Sequence, residues 1–179
     1  MTSTSADALA VIISPAADKL ARVLIKASQT ALTGDPEFEY DALLTATGLS
    51  PRDLADAADD LEARGLIETE GFANGRETPF DVLAPTSALF AALDGVFGSN
   101  NPEMDARQIA ADLLAETISD SVQAAAKHYG WPPRRMNPAV TYLLLHDLLV
   151  VDELLGSAPW CQHGMLATRK LRRFVEGAL

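Results

Sequence analysis

Residues 48–66 read GLSPRDLADAADDLEARGL, and 82 positions later residues 130–148 read GWPPRRMNPAVTYLLLHDL. Gly48, Pro51, Arg52, Ala57, Leu61 and Leu66 fall without a gap on Gly130, Pro133, Arg134, Ala139, Leu143 and Leu148. Between these identities apolar residues meet apolar ones: Leu49 and Trp131, Leu54 and Met136, Ala58 and Val140, Ile67 and Leu149. Two Ala/Leu-rich helices can match by accident. An accident does not also carry Thr86, Leu89 and Gly95 onto Thr168, Leu171 and Gly177 at the same offset, well beyond the helices. The chain therefore reads as two copies of one unit, residues 1–99 and residues 100–179.

Local signals say what the unit is. Ser14-Pro15 pairs a helix cap with a first-turn proline, and Leu20, Val23, Leu24 and Ala27 follow at helical spacing. A short helix fits Tyr40 to Ala46 and stops at Thr47-Gly48. Ser50-Pro51 opens a third, whose apolar face is Leu54, Ala57, Ala58 and Leu61 and whose end is Arg64-Gly65. Leu66-Ile67 is strand-prone, Asn74-Gly75 suits a tight hairpin, and Phe80, Val82 and Leu83 can form the returning strand. A last helix is expected after Pro85-Thr86.

The second unit repeats the scheme. Helices are expected from Pro102 through Ile109, Leu113 and Leu114, and from Val122 to Tyr129. Asn137-Pro138 reads as cap and first helical position, because a proline deeper in a helix costs about 3 kcal/mol. Leu148 to Leu154 and Cys161 to Ala167 suit a hairpin around Gly156-Ser157, with a closing helix from Thr168. The joint between units is Gly98-Ser99-Asn100-Asn101-Pro102.

Three helices followed by a two-stranded hairpin is the winged-helix order. The runs Thr47-Gly48-Leu49-Ser50-Pro51 and Leu61-Glu62-Ala63-Arg64-Gly65-Leu66-Ile67, with the helix start at Pro85-Thr86, resemble winged-helix transcription regulators of the MarR-like kind over residues 14–95. The fold expected is mainly α with small β-hairpin wings, two winged-helix domains in tandem. Such an arrangement with an acidic surface is also similar to adaptors of the ScpB and MukE type, which bind a kleisin chain. That likeness is architectural and rests on no shared motif.

Composition narrows the possibilities. The 179 residues are 48% apolar and include a single cysteine, Cys161, so an internal disulfide is impossible and disorder is disfavoured. The N-terminus has no basic region ahead of its apolar residues, and the greasy segment Tyr142 to Leu155 is broken by His146, Asp147, Asp152 and Glu153. A cytoplasmic protein without a membrane span is expected. Net charge is −11, but unevenly placed. Residues 1–102 carry six Lys/Arg against sixteen Asp/Glu, and residues 103–179 carry eight against nine.

In DNA-binding winged helices the third helix enters the major groove. In the first unit that helix would present Asp53, Asp56, Asp59 and Asp60 to a polyanion, which repels. A protein partner with a basic face is the expected ligand there, and Arg76 at the wing tip reads as a solvated turn residue. In the second unit Arg134, Arg135, Asn137 and Thr141 stand where base edges are read, with Lys127 and the cluster Arg169, Lys170, Arg172 and Arg173 available for phosphates. Tyr142, Leu144 and Leu145 make that same helix unusually apolar, so an interface with the first unit, a second copy or another protein is also expected. The leading expectation is a double-stranded-DNA-binding regulator, a homo-oligomer or partner-bound protein whose second unit contacts DNA and whose first unit mediates dimer or partner contacts, with a non-enzymatic protein-binding adaptor as the alternative.

Chemistry is harder to find. Cys161 and His163, even with His128 and His146, lack the paired spacing of a zinc site. No phosphate-binding glycine loop or nucleophile elbow is present, and the carboxylates of residues 53–62 crowd one helix. No enzyme activity, metal or cofactor is expected.

Overall fold

A computed structural model describes residues 13–71, 78–151 and 158–177. The wing-tip turns expected at Asn74-Gly75 and Gly156-Ser157, the tip residue Arg76, Leu154 and the first twelve residues lie outside them.

The first unit runs α1 (Pro15–Ala27), β1 (Phe38–Glu39), α2 (Tyr40–Thr47), α3 (Pro51–Glu62), β2 (Ile67–Glu70) and β3 (Val82–Pro85), and α4 (Ser87–Phe97) leads out of it. The Ser14 and Ser50 hydroxyls accept the N–H groups of Ala17 and Asp53, capping α1 and α3 ahead of their first-turn prolines. The strands form an antiparallel sheet in the order β1-β3-β2. Leu20, Leu24, Leu43, Leu54, Leu61, Ile67, Leu83 and Phe90 fill the core beneath it. The unit is mainly helical with a small antiparallel sheet.

The second unit runs α5 (Pro102–Leu114), α6 (Val122–Tyr129), α7 (Pro133–Leu145), β4 (Leu149–Val150), β5 (Leu166–Ala167) and α8 (Leu171–Val175). Its first strand is reduced to a single bridge between Ser121 and Gly164. Its own core centres on Ile109, Val122, Met136, Val140, Leu143 and Leu171.

The offset of 82 residues is visible in the backbone. Helices α2 and α6 have the same length and stop at left-handed glycines, Gly48 (φ 59°) and Gly130 (φ 66°). After the third helix, Leu66 N–H donates to the Leu61 carbonyl at 3.0 Å and Leu148 N–H to the Leu143 carbonyl at 2.8 Å. The Thr86 hydroxyl clasps the Gly65 carbonyl at 2.7 Å, and the Thr168 hydroxyl clasps Asp147 at 2.8 Å. Thr86 and Thr168 are identical because each locks a returning strand onto the turn beyond a third helix.

Two expectations are corrected. Helix α7 starts at Pro133, so Asn137 is no cap and Pro138 lies inside the helix. Pro138 leaves the Arg134 carbonyl without its helical donor, a loss that tertiary contacts of the neighbouring side chains outweigh. Among the described residues the second wing pairs Leu149–Val150 with Leu166–Ala167, less than the hairpin expected from Leu148 and Cys161 onward. Trp160 and Cys161 pack against the core, and Asn137 holds the Pro159 carbonyl and the Cys161 N–H, so this stretch is pinned to α7.

The loop after α1 is organised by Asp35. Its Oδ2 accepts from the hydroxyls of Ser28 and Thr30 and the N–H groups of Gln29 and Thr30, at 2.6–3.0 Å. Burial acts to raise the carboxyl's pKa, but these donors outweigh it and hold the group below the ordinary aspartate value. A depressed folded-state pKa gives stability that is complete above the unfolded value and lost as pH falls through the folded one. Asp35→Asn is therefore expected to lower stability by about 1–2 kcal/mol at neutral pH. Its penalty should shrink as pH falls below about 4, the ordinary aspartate value. Thermal melts of both proteins across that range check this.

Candidate functional site

Helix α4 connects the two units, packed on α1 and on α5 and α7. Its Asp94 is fully buried although charged. Arg134, at the start of α7, meets it with two guanidinium nitrogens, Nη2 lying 2.7 Å from Oδ1. The same Nη2 donates to the Ile25 carbonyl at 3.1 Å, and the guanidinium lies over the Phe90 ring. One arginine of the second unit thus ties α1 and α4 of the first. Gly98 closes the far side, where a Cβ would lie 2.7 Å from Asp94 Oδ1, so close packing demands glycine at the joint.

Asn137 is the second tie. Completely buried, it donates from Nδ2 to the Thr30 carbonyl of the first unit at 2.8 Å and to the Pro159 carbonyl at 2.9 Å. Its Oδ1 accepts the Cys161 N–H at 3.0 Å. Arg135 turns inside its own unit, pairing with Asp105 at 2.8 Å and lying 4.1 Å above the Trp131 ring. Thr141 is buried at 4% exposure.

These four, Arg134, Arg135, Asn137 and Thr141, are the residues expected to face a duplex. Two of them are buried, and the two arginines are committed to carboxylates. At this helix start Arg134 and Asn137 join the units, while Arg135 is held within its own. Sequence reasoning missed Asp94 and Asp105 as the partners, since neither lies within a turn of the arginine it holds.

The phosphate-binding candidates fall elsewhere. Lys127 is exposed near the end of α6, and Arg169, Arg172 and Arg173 are exposed at or beside α8. Lys170 is exposed too, but bonded to Asp147 at 3.0 Å.

Of the partner-binding candidates, Asp53 and Asp56 stand exposed on α3, beside Asp59. Asp60 does not belong with them. It accepts the Ser14 N–H at 2.9 Å and the Arg64 Nε at 2.9 Å, and these bonds hold its carboxyl below the ordinary value. Its task is to fix the start of α1 to the end of α3. Tyr142 and Leu144 are half-buried against the second core, and only Leu145, 58% exposed, projects from the end of α7. Leu145 borders an open groove of about 570 Å³ between α4 and α7, whose apolar lining includes Leu66, Ala88, Ala92, Val96 and Tyr142.

Cys161 and the histidines do not converge: no group of three metal-ligating side chains occurs among the described residues. Burial pushes the Cys161 thiol up to about 12, so it is protonated at neutral pH and a poor nucleophile. Burial and then Asp112, which accepts the Tyr129 hydroxyl at 2.7 Å, raise that phenol above the ordinary tyrosine value. No helix among the described residues is long and apolar enough to cross a membrane. No protein-family model, curated protein or solved structure matches the chain.

Proposed function

We propose that this chain is a non-enzymatic protein-binding module built from tandem winged helices, an adaptor and not a reader of duplex DNA. One observation carries the reading: the α7 groups able to pair with base edges are already engaged, Arg134 by Asp94, Arg135 by Asp105 and Asn137 by three backbone groups. A base contact from Arg134 would first have to strip a buried carboxylate of its counter-charge, at a cost of several kcal/mol. The exposed helix of the first unit offers Asp53, Asp56 and Asp59, a surface that repels phosphates and suits a partner rich in lysine and arginine. The lone protonated cysteine fits a reducing cytoplasm.

A second reading rests on Arg169, Arg172 and Arg173, which are exposed and have no ion pair among the described residues. With Lys127 they could hold a phosphate backbone in a DNA-binding regulator, without help from α7. One titration separates the two. The purified chain is mixed with labelled mixed-sequence duplex and followed by fluorescence anisotropy at about 50 and about 200 mM salt. The module reading expects no binding at either. Tight binding that weakens by orders of magnitude between them would overturn it in favour of the regulator.

A further inference from the structure

The two units are internal controls for one another, and they differ at the edge of the wing. In the first, the outer edge of the β2–β3 ribbon is closed by a side chain. Glu62, at the end of α3, accepts both the Thr69 N–H at 3.1 Å and the Thr69 hydroxyl at 2.7 Å. An open strand edge is a template for another strand, and a plug of this kind blocks it.

In the second unit the ribbon keeps its register but loses the plug. Leu149 and Val150 pair with Ala167 and Leu166 as Ile67 and Glu68 pair with Pro85 and Ala84. Thr168 N–H donates to the Leu148 carbonyl as Thr86 N–H donates to Leu66, so the alternation is the same in both ribbons, and Val151 follows β4 directly at the position equivalent to Thr69. The positions equivalent to Glu62 and Thr69 are Leu144 and Val151, neither of which has a hydrogen-bonding side chain. The face of the ribbon changes in the same sense. The cross-strand pair Glu68–Ala84 becomes Val150–Leu166, 49% and 56% exposed, and Val151 is 66% exposed. The first unit builds the same ribbon with Glu68, Thr69 and the small Ala84 at these places, so the fold does not require large apolar side chains there.

We infer that β4 is a dimerisation edge, pairing antiparallel with β4 of a second copy of this chain about a two-fold axis. A second copy is the occupant because a two-fold consumes both unplugged edges at once and brings each Val150–Leu166 patch against its like. Charge agrees. The second unit is nearly balanced, with eight Lys/Arg against nine Asp/Glu in residues 103–179, whereas residues 1–102 carry six against sixteen. Pairing through the second unit brings together the halves that repel least. The inference does not depend on what α3 binds.

Sedimentation equilibrium of the full chain tests it. The mass is expected to rise with concentration from 19.1 kDa to twice that. Val151→Lys with Leu166→Lys, both at exposed positions, should hold it at 19.1 kDa with an unchanged far-UV spectrum. Leu144→Glu with Val151→Thr, which installs the first unit's plug, should likewise hold the mass at 19.1 kDa. The reverse exchange, Glu62→Leu with Thr69→Val, opens the β2 edge and should give assemblies larger than a dimer. A wild-type mass of 19.1 kDa at every concentration would overturn the inference. So would a dimer that survives both the lysine pair and the installed plug, or one abolished only by Leu145→Arg in the groove.

Discussion

Arg134→Ala is expected to cost the folded state about 3–5 kcal/mol, the penalty for leaving a buried charge uncompensated. Asp94 is wholly buried, and Arg134, itself only 20% exposed at its side chain, supplies its counter-charge. The Ile25 carbonyl loses a donor in the same step. Arg134→Lys should restore little, because a lysine cannot present two nitrogens to one carboxylate and a third contact to a carbonyl. Replacing both partners by apolar residues, Arg134→Met with Asp94→Leu, should recover much of the loss, since a buried pair exchanged for packing is often neutral.

The repeat supplies the control. Arg52 occupies the position equivalent to Arg134, yet its side chain is 90% exposed and its nearest carboxylate, Asp56, is 3.9 Å away. Arg52→Ala should change stability by no more than about 0.5 kcal/mol. Urea titrations followed by circular dichroism measure all of these. An Arg134→Ala penalty as small as that of Arg52→Ala would show that the units are not joined through this pair.

The contrast between Arg52 and Arg134 also shows what could be learned from the chain alone. Positions that recur because the backbone needs them were legible: a left-handed glycine after each second helix, a first-turn proline on each third helix, a threonine that clasps each returning strand. Each acts within a few residues or through one fixed offset, so similarity reveals it. The uses of α7 were not legible. Arginine, arginine and asparagine near a helix start suit base edges and internal carboxylates equally well, and Asp94 is 40 residues upstream on another element. Pro138 misled for a related reason. The general cost of an interior proline suggested a helix start there, although the repeat had already set Pro133 against Pro51. Propensity is local and weak, and anchored side chains on either side of Pro138 override it. Asp60 was grouped with the surface carboxylates because helical spacing shows a face, but its partner Ser14 comes from another helix start.

The loop that reaches α7 gives a second large effect. Asn137→Ala is expected to destabilise the chain by about 3 kcal/mol, because it strands three backbone groups, not one. The Thr30 and Pro159 carbonyls and the Cys161 N–H all bond to this one amide, in a place its complete burial keeps from bulk water. An unmatched buried donor or acceptor costs about 1–3 kcal/mol, the larger values applying where water cannot enter. Asn137→Asp should be worse than alanine at neutral pH, since it keeps the acceptor for Cys161 but turns the Nδ2 donor into a charged oxygen facing two carbonyls. That ordering separates a hydrogen-bonding role from simple packing, which an isosteric aspartate would preserve. Disruption at Asn137 should also reach the first unit through Thr30, whose N–H and hydroxyl are held by Asp35. Amide hydrogen exchange in Asn137→Ala is therefore expected to accelerate at residues 28–31 as well as around Cys161. Acceleration confined to the second unit would mean that the Thr30 contact contributes nothing to holding the two halves together.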